Sequence, residues 1–325
     1  MKAPAFWYRP HSVLERLLSP LGRVYGWTVA RRFKHARPYQ ADIPVICVGN
    51  LSVGGTGKTP VCLALGALLQ AKGIPFFFLN HGYKARLKGV IADPWHMTPL
   101  ETGDEALLLA EAAPTVVDNH RARGAQIAKR QGAKAVIMDD GFQDPGLIKT
   151  LSFVVIDGPR GFGNGSMIPA GPLREPVSKG LARADAVIIA GPDQTGAADT
   201  VKHFFPDMPI LKGSFQPEPA DLEALAGHRI SAFAGIGQPE KFFRMLSEHG
   251  LNLGKQTAYP DHYFYTRFDI EQLISESAGM KLATTTKDFV KIPRDLRDRI
   301  TVVRGHFVFD DSDAVNRLLT GIFTA

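Results

Sequence analysis

The stretch Pro44-Val-Ile-Cys-Val48, then Gly49-Asn50-Leu51, then Ser52-Val53-Gly54-Gly55-Thr56-Gly57-Lys58-Thr59, decides how the rest of the chain reads. An apolar β-rich run, a glycine-rich turn and a helix start follow one another directly. That order gathers backbone amides and a helix N-terminus around one point, which is an anion site. In a P-loop of this kind the lysine reaches the outer phosphates and the next hydroxyl serves Mg²⁺, positions held here by Lys58 and Thr59. Ser52 stands where the usual pattern has glycine, with Gly54 and Gly55 keeping the loop flexible. A ligand-free glycine-rich turn is the plain alternative, and the Gly-Lys-Thr order in this setting argues against it.

Outward from the loop, short apolar runs alternate with helical stretches: Pro75–Leu79, Pro114–Val117, Ala135–Met138, Phe153–Ile156 and Ala186–Ala190, with helices expected over Lys58–Lys72, Asp104–Ala112 and Arg121–Gly132. Continuous apolar strands separated by helices imply an α/β core, a P-loop NTPase-like parallel sheet with helices on both faces. After about Gly191 the pattern changes. Runs at Pro209–Phe215, Ile230–Ala234, Lys281–Thr285 and Ile300–Phe309 suggest a smaller C-terminal α/β unit, giving an expected division into 1–37, 38–208 and 209–325. An acid closing a neighbouring strand completes a P-loop site, and Asp139 and Asp140 follow the Ala135–Met138 run. A pair of strand-end carboxylates in a turn is the structural alternative.

Charge is unevenly distributed. The chain of 325 residues carries a formal +6, yet residues 1–37 alone contribute +7, with eight Lys or Arg against Glu15, so the remainder is −1. A duplex binder spreads its basic surface over the folded body, so nucleic acid is not an expected partner. The N-terminal segment also places Val13, Leu14, Leu17, Leu18, Leu21, Val24 and Tyr25 at helical spacing. It reads as an amphipathic helix kinked near Pro20 and Gly22. Arginines interrupt it too often for a bilayer span. An interfacial anchor on an anionic leaflet and a helix packed on the core with a solvated basic face both fit. The two cysteines, Cys47 and Cys62, cannot build a secreted disulfide framework, and a reducing cytosol suits them.

Several loop residues suit phosphoryl transfer, which asks the protein for alignment, charge neutralisation and a base. Thr102-Gly-Asp104-Glu105 is either a capping box, Thr102 the N-cap and Glu105 at the third helical position, or two carboxylates aimed from a helix start at a phosphate site. Asp261-His262-Tyr263 is either a turn or a histidine that pairs with a carboxylate base. Gly171-Pro-Leu-Arg174-Glu175-Pro is either a rigid turn or the carrier of a phosphate clamp, Arg174. The basic cluster His120, Arg121 and Arg123 is either a helix-start charge cluster or a contact for a substrate phosphate.

Taken together these motifs resemble the tetraacyldisaccharide 4′-kinase (lipid A 4′-kinase) family. The matching segments run in family order: Val48 to Pro60, Gly103-Asp104-Glu105, Asp139-Asp140-Gly-Phe-Gln143, Gly171 to Pro176, Gly235-Ile-Gly-Gln-Pro-Glu-Lys-Phe242, Asp261-His262 and Thr286-Lys-Asp288. The resemblance implies ATP- and Mg²⁺-dependent phosphorylation of the 4′-hydroxyl of a tetraacylated glucosamine disaccharide 1-phosphate, a step of lipid A biosynthesis. It places the enzyme peripherally at the cytoplasmic face of the inner membrane, with the lipid-linked disaccharide and the membrane surface as partners. It implies Asp104 as base assisted by His262, Lys58 on the phosphates, and Thr59, Glu105, Asp139 and Asp140 around Mg²⁺, with Arg174, Glu175 and Tyr83 also at the active site. One segment departs: Asn80-His81-Gly82-Tyr83 stands where the family has Ser-Arg-Gly-Tyr, leaving His81, Lys84 or Arg86 to supply the basic contact. Two rivals share the phosphate cradle: a membrane-recruited P-loop ATPase switch, and a kinase of a soluble sugar.

Overall fold

The computed structural model describes residues 3–9 and 11–323. Lys2, counted in the basic segment, lies outside them. The strands are β1 (Val45–Gly49), β2 (Phe76–Asn80), β3 (Val90–Ile91), β4 (Thr115–Val117), β5 (Ala135–Asp139), β6 (Leu151–Asp157), β7 (Ala186–Ala190), β8 (Ile210–Pro217), β9 (Arg229–Ala234), β10 (Asn252–Ala258), β11 (Lys281–Thr285), β12 (Thr301–Val303) and β13 (Gly305–Phe309). Every residue of β1 is buried, because the strand lies mid-sheet with both faces covered. Val45 and Cys47 join one core cluster and Ile46 and Val48 the other, as the two-residue period of a strand requires.

Nine strands form one sheet in the order β13-β8-β7-β6-β1-β5-β2-β4-β3. The seven inner strands, β8 through β4, are parallel, while β13 and β3 close the edges antiparallel. Helix α1 covers Val13–His35, α2 Lys58–Ala71, α3 Pro99–Thr102 and α4 Asp104–Ala110. On one face α2 packs Val61, Cys62, Leu65 and Leu69, beside Val315 and Leu319 of the Ser312–Gly321 helix. The other face is covered by Ala125 and Ala128, by Leu181, and by Ala197 and Val201, from three further helices.

A second sheet, β10-β9-β11-β12, is wholly parallel. Strand membership corrects the expected division at 208/209. Strand β8 belongs to the large sheet, and the run Ile300–Phe309, expected as one element, breaks at Arg304. Its first half, β12, ends the small sheet, and its second half, β13, returns to pair with β8. The small unit is therefore an insertion between β8 and β13. The two crossing segments are pinned where they meet. Asp221 accepts from the Arg304 backbone N–H (2.8 Å), Nε (3.0 Å) and Nη2 (2.6 Å), and Glu218 donates its N–H to the Arg304 carbonyl (2.9 Å).

Helix α1 runs unbroken through Pro20. Ser12 caps it, accepting from the Glu15 N–H. Its seat is a pair of glycines. A Cβ at Gly22 would stand 2.9 Å from the Met167 carbonyl oxygen, and one at Gly26 2.5 Å from the Met167 Sδ. The opposite side leaves Val13, Leu14, Leu17, Leu21, Val24 and Trp27 in solvent. The helix is thus packed on the core while its apolar stripe is free. Among the described residues no helix is long and apolar enough to cross a membrane.

Candidate active site

The loop after β1 opens at the carboxyl ends of the central strands, where open α/β sheets present their ligand crevice. Gly54 (φ 114°) and Gly57 (φ 87°) take backbone angles that residues with a side chain avoid, which lets the loop curl ahead of α2. The remainder is held by its neighbours. Val53 donates its N–H to the Pro172 carbonyl (2.8 Å), Ser52 bridges to Leu173, and Thr56 accepts from Asn50 Nδ2 (3.1 Å).

Strand β5 pairs with β1 so that Asp139 lies opposite Val48, one position before the end of β1. Asp139 is buried, 3.4 Å from the Thr59 hydroxyl and 3.2 Å from Asn80 Nδ2. Burial, then Glu105 and Asp140 nearby, push its carboxyl pKa upward, against the pull of Lys58 and Arg121. Asp140, at φ 48°, turns the other way. Its carboxylate lies 3.7 Å from Lys58 Nζ and accepts two bonds from Arg174, at 3.0 and 3.3 Å. Burial opposes its ionisation, but Lys58 and Arg174 outweigh it and hold the pKa well below the usual carboxylate range. Glu175 points away from Asp140 and is buried between Gln143 (3.1 Å) and Arg183 (2.8 Å).

The Asp104 side of the cleft is assembled from remote segments. Asp104 starts α4 and receives His262 Nδ1 at 3.0 Å from each carboxylate oxygen. Burial alone would raise the Asp104 pKa. The His262 hydrogen bond, Lys287 and Lys291 overcome it and bring the value down to about 2. The expected Thr102 cap is corrected. Thr98 and Glu101 form the capping box, of α3, while Thr102 is buried and donates to the Thr98 carbonyl. Gly103, with φ 93°, makes the turn into α4, and Asp104 itself accepts the Glu105 N–H (3.0 Å). Lys287 lies between Glu105 (3.0 Å) and Asp261 (3.3 Å), whose charges, with Asp104, raise its pKa against burial. The Tyr83 ring lies against His262, with centroids 5.0 Å apart and the planes tilted by 50°. His262 has φ 56° and Lys84 φ 58°, so with Asp140 three of the four non-glycine residues with positive φ among the described residues border this cleft.

The second unit also grips the loop directly. Gln238 Nε2 donates to the Gly55 carbonyl (2.6 Å) and to Asp157 at the end of β6 (2.9 Å), and Lys241 pairs with Asp157 at 2.6 Å. Gly237 allows the approach, because a Cβ there would lie 3.0 Å from the Gly55 nitrogen. The 286–288 segment divides its work: Lys287 faces the cleft, while Asp288 accepts the Gly235 N–H (2.9 Å) and fixes the turn that presents Gly237 and Gln238.

The chain is matched over residues 14–323 by the model of one protein family, tetraacyldisaccharide-1-P 4′-kinase. It belongs to that family. It is 44% identical to the tetraacyldisaccharide 4′-kinase of Rhodospirillum centenum, covering all of this chain and 97% of the relative, and 46% identical to that of Paramagnetospirillum magneticum, covering 99% and 98%. The crystal structure of the Aquifex aeolicus LpxK in complex with ATP superposes with a TM-score of 0.78 at 26% identity, over 96% of this chain and all of that one.

Two residues escaped the family motifs. Arg121 does not reach for a substrate phosphate. It is buried and donates to the carbonyls of Leu79 (3.1 Å) and Asp139 (2.9 Å), tying the ends of β2 and β5 together, while Arg123 is committed to Asp118 (2.6 Å). Asn80, at the family's serine position, donates to Asp139 and accepts the Gly82 N–H (2.7 Å), so it sets the Tyr83 turn relative to the P-loop. A spacing argument could not assign either role, because the carbonyls that Arg121 reaches and the Asp139 carboxylate that Asn80 reaches come close only through the pairing of β2 with β5.

Proposed function

We propose that this chain transfers the γ-phosphate of ATP to the 4′-hydroxyl of a tetraacylated glucosamine disaccharide 1-phosphate, at a cleft formed by the P-loop and the Asp104–His262 pair. The observation that carries this reading is the meeting of Asp104 and His262, from different units, beside a loop bearing Lys58 and Thr59. A nucleotide switch has no need of a buried carboxylate–imidazole pair; a kinase needs a group to take the acceptor proton.

Lys58 neutralises charge on the β- and γ-phosphates, and the loop amides orient them. Asp104 stays ionised at neutral pH and accepts the hydroxyl proton as the oxygen attacks phosphorus, while ADP leaves. His262 Nδ1 orients that carboxylate and shares its proton, and Lys287 keeps Glu105 and Asp261 in place beside it. Arg174 and Asp140 keep Lys58 aimed at the phosphates.

The residues present fit Mg²⁺. Thr59 and Asp139 offer hard oxygen donors side by side, with Asp140 and Glu105 nearby. Mg²⁺ is ordinarily held by one or two carboxylates together with waters and substrate phosphate oxygens, and these donors suit that pattern. When bound, Mg²⁺ supplies charge neutralisation across the transferred phosphoryl group.

The exposed stripe of α1, with Arg16, Arg23 and Arg31 on the same helix, suits docking on the anionic cytoplasmic face of the inner membrane, where the acyl chains of the acceptor reside. Purified protein incubated with γ-labelled ATP, Mg²⁺ and the disaccharide lipid is expected to label the lipid. ATP hydrolysis with no labelled lipid would overturn the kinase reading in favour of the switch.

A further inference from the structure

Near its C-terminal end α1 makes a contact that its exposed stripe does not explain. The Phe33 ring faces the Arg183 guanidinium, 4.1 Å from Cζ to centroid, and Phe142 stacks on the same group at 5.0 Å. Arg183 Nη1 donates to the Lys179 carbonyl (2.9 Å), and Nη2 reaches both oxygens of Glu175 at 2.8 Å. Glu175 is 2% exposed, and Arg183 is its ion-pair partner. From Glu175 polar contacts continue to the phosphate side. Gln143 Nε2 donates to Glu175 (3.1 Å) and to the Asn50 carbonyl (2.7 Å), and its Oε1 accepts from Arg174 (3.1 Å). Arg174 holds Asp140, which lies 3.7 Å from Lys58.

We infer that Arg183 is a positioning residue through which the seating of α1 on the core sets the Arg174–Asp140–Lys58 geometry, so that the anchor helix governs turnover as well as location. The inference rests on the kinase reading above. Arg183 and Arg174 donate, Glu175 and Asp140 accept, and Gln143 between them does both, so the place of one constrains the next. Arg174 is shared between Gln143 and Asp140, and a Gln143 amide that loses Glu175 keeps only the Asn50 carbonyl to orient it. Phe142 cannot absorb the movement, because it is wedged against β1: a Cβ at Gly49 would lie 2.3 Å from the Phe142 Cβ. Cation–π contacts of this kind contribute about 0.5–2 kcal/mol, enough to hold a half-exposed guanidinium in one place.

The test is steady-state kinetics of the full chain on detergent-dispersed disaccharide lipid, which removes vesicle docking from the rate. Arg183→Met and Phe33→Ala are expected to lower kcat about 5- to 20-fold with less than about a twofold change in KM for ATP, the range of couplings carried through packed networks. Phe33→Tyr, which keeps the ring, should retain wild-type kcat, and Phe33→Leu, which keeps the bulk, should not. In an Arg174→Met background, Arg183→Met should cost less than about twofold more, because the path is already cut. Unchanged kcat in Arg183→Met and Phe33→Leu overturns the inference, and so do Arg183 and Arg174 effects that simply multiply. Should Arg183→Met fail to fold, the Tyr and Leu variants at 33 decide it. Wild-type lipid phosphorylation is measured in parallel: its absence breaks the kinase reading, whereas its presence with unchanged variants breaks this inference alone.

Discussion

The Lys58 side and the Asp104 side of the cleft are built by different rules. Lys58 and Thr59 open the helix that follows β1 and its loop, and Asp139 and Asp140 stand at the end of the neighbouring β5, so the parallel register of β1 and β5 sets them near one another. Asp104 and His262 are 158 residues apart and meet only because the inserted second sheet rests on the first through Gln238, Lys241 and Lys287. A site made by register survives small shifts of the second unit. A site made by docking does not, so damage to the two sides should look different in kinetics.

The largest separation should come from Asp104→Ala, expected to lower kcat about 10³-fold while ATP binding, measured by titration, stays close to wild type. Near-normal turnover at saturating ATP and lipid would remove Asp104 from the base role. Lys58→Ala strikes the other side, with kcat down about 10²-fold and KM for ATP raised, since the phosphates lose their cation in ground and transition states alike. His262→Ala is expected to cost about 10- to 50-fold in kcat, less than Asp104→Ala, because the imidazole orients and shares a proton that the carboxylate takes. Equal losses at 104 and 262 would mean that the pair acts as one unit.

The smallest effect tests the junction between the two sheets. Asp221→Asn, at the crossing between the sheets, should reduce unfolding free energy by about 1–2 kcal/mol at neutral pH with kcat little changed. Hydrogen bonds from Arg304 hold the Asp221 pKa below its ordinary 3.8. A depressed carboxylate stabilises the fold above that ordinary value and loses its contribution as pH falls through the lowered one. The deficit of the variant, followed by denaturant titration, should therefore shrink below about pH 4. A deficit independent of pH would move its origin away from the ion pair.

The α/β core was legible because its inner strands are covered on both faces and so read as unbroken apolar runs; the Ala186–Ala190 and Lys281–Thr285 strands fall on the expected residues. Strand β10, Asn-Leu-Gly-Lys-Gln-Thr-Ala, escaped notice for the converse reason. It is an edge strand with no fully buried residue, so it carries no apolar run to detect. The run Ile300–Phe309 looked like one strand because residues on both sides of Arg304 have strand character, and nothing local says that they serve different sheets. At the site, the motif order named Lys58, Asp104, Asp140, Arg174 and His262 but not who holds whom. Glu175 lies with Arg183 behind the Arg174–Asp140 contact, and the TKD segment divides between the cleft and a turn.

Sequence by itself determined the phosphate cradle, the parallel core around it and the family, because glycine placement, apolar period and motif order are local properties of a chain. Tertiary structure decided the rest. It made the second unit an insertion between β8 and β13, buried Arg121 as a brace, turned the glycines of α1 inward with its apolar stripe outward, and brought His262 to Asp104. The physical reason is range: a side chain's partner across the fold is set by which surfaces pack, and no periodicity within a single segment records that.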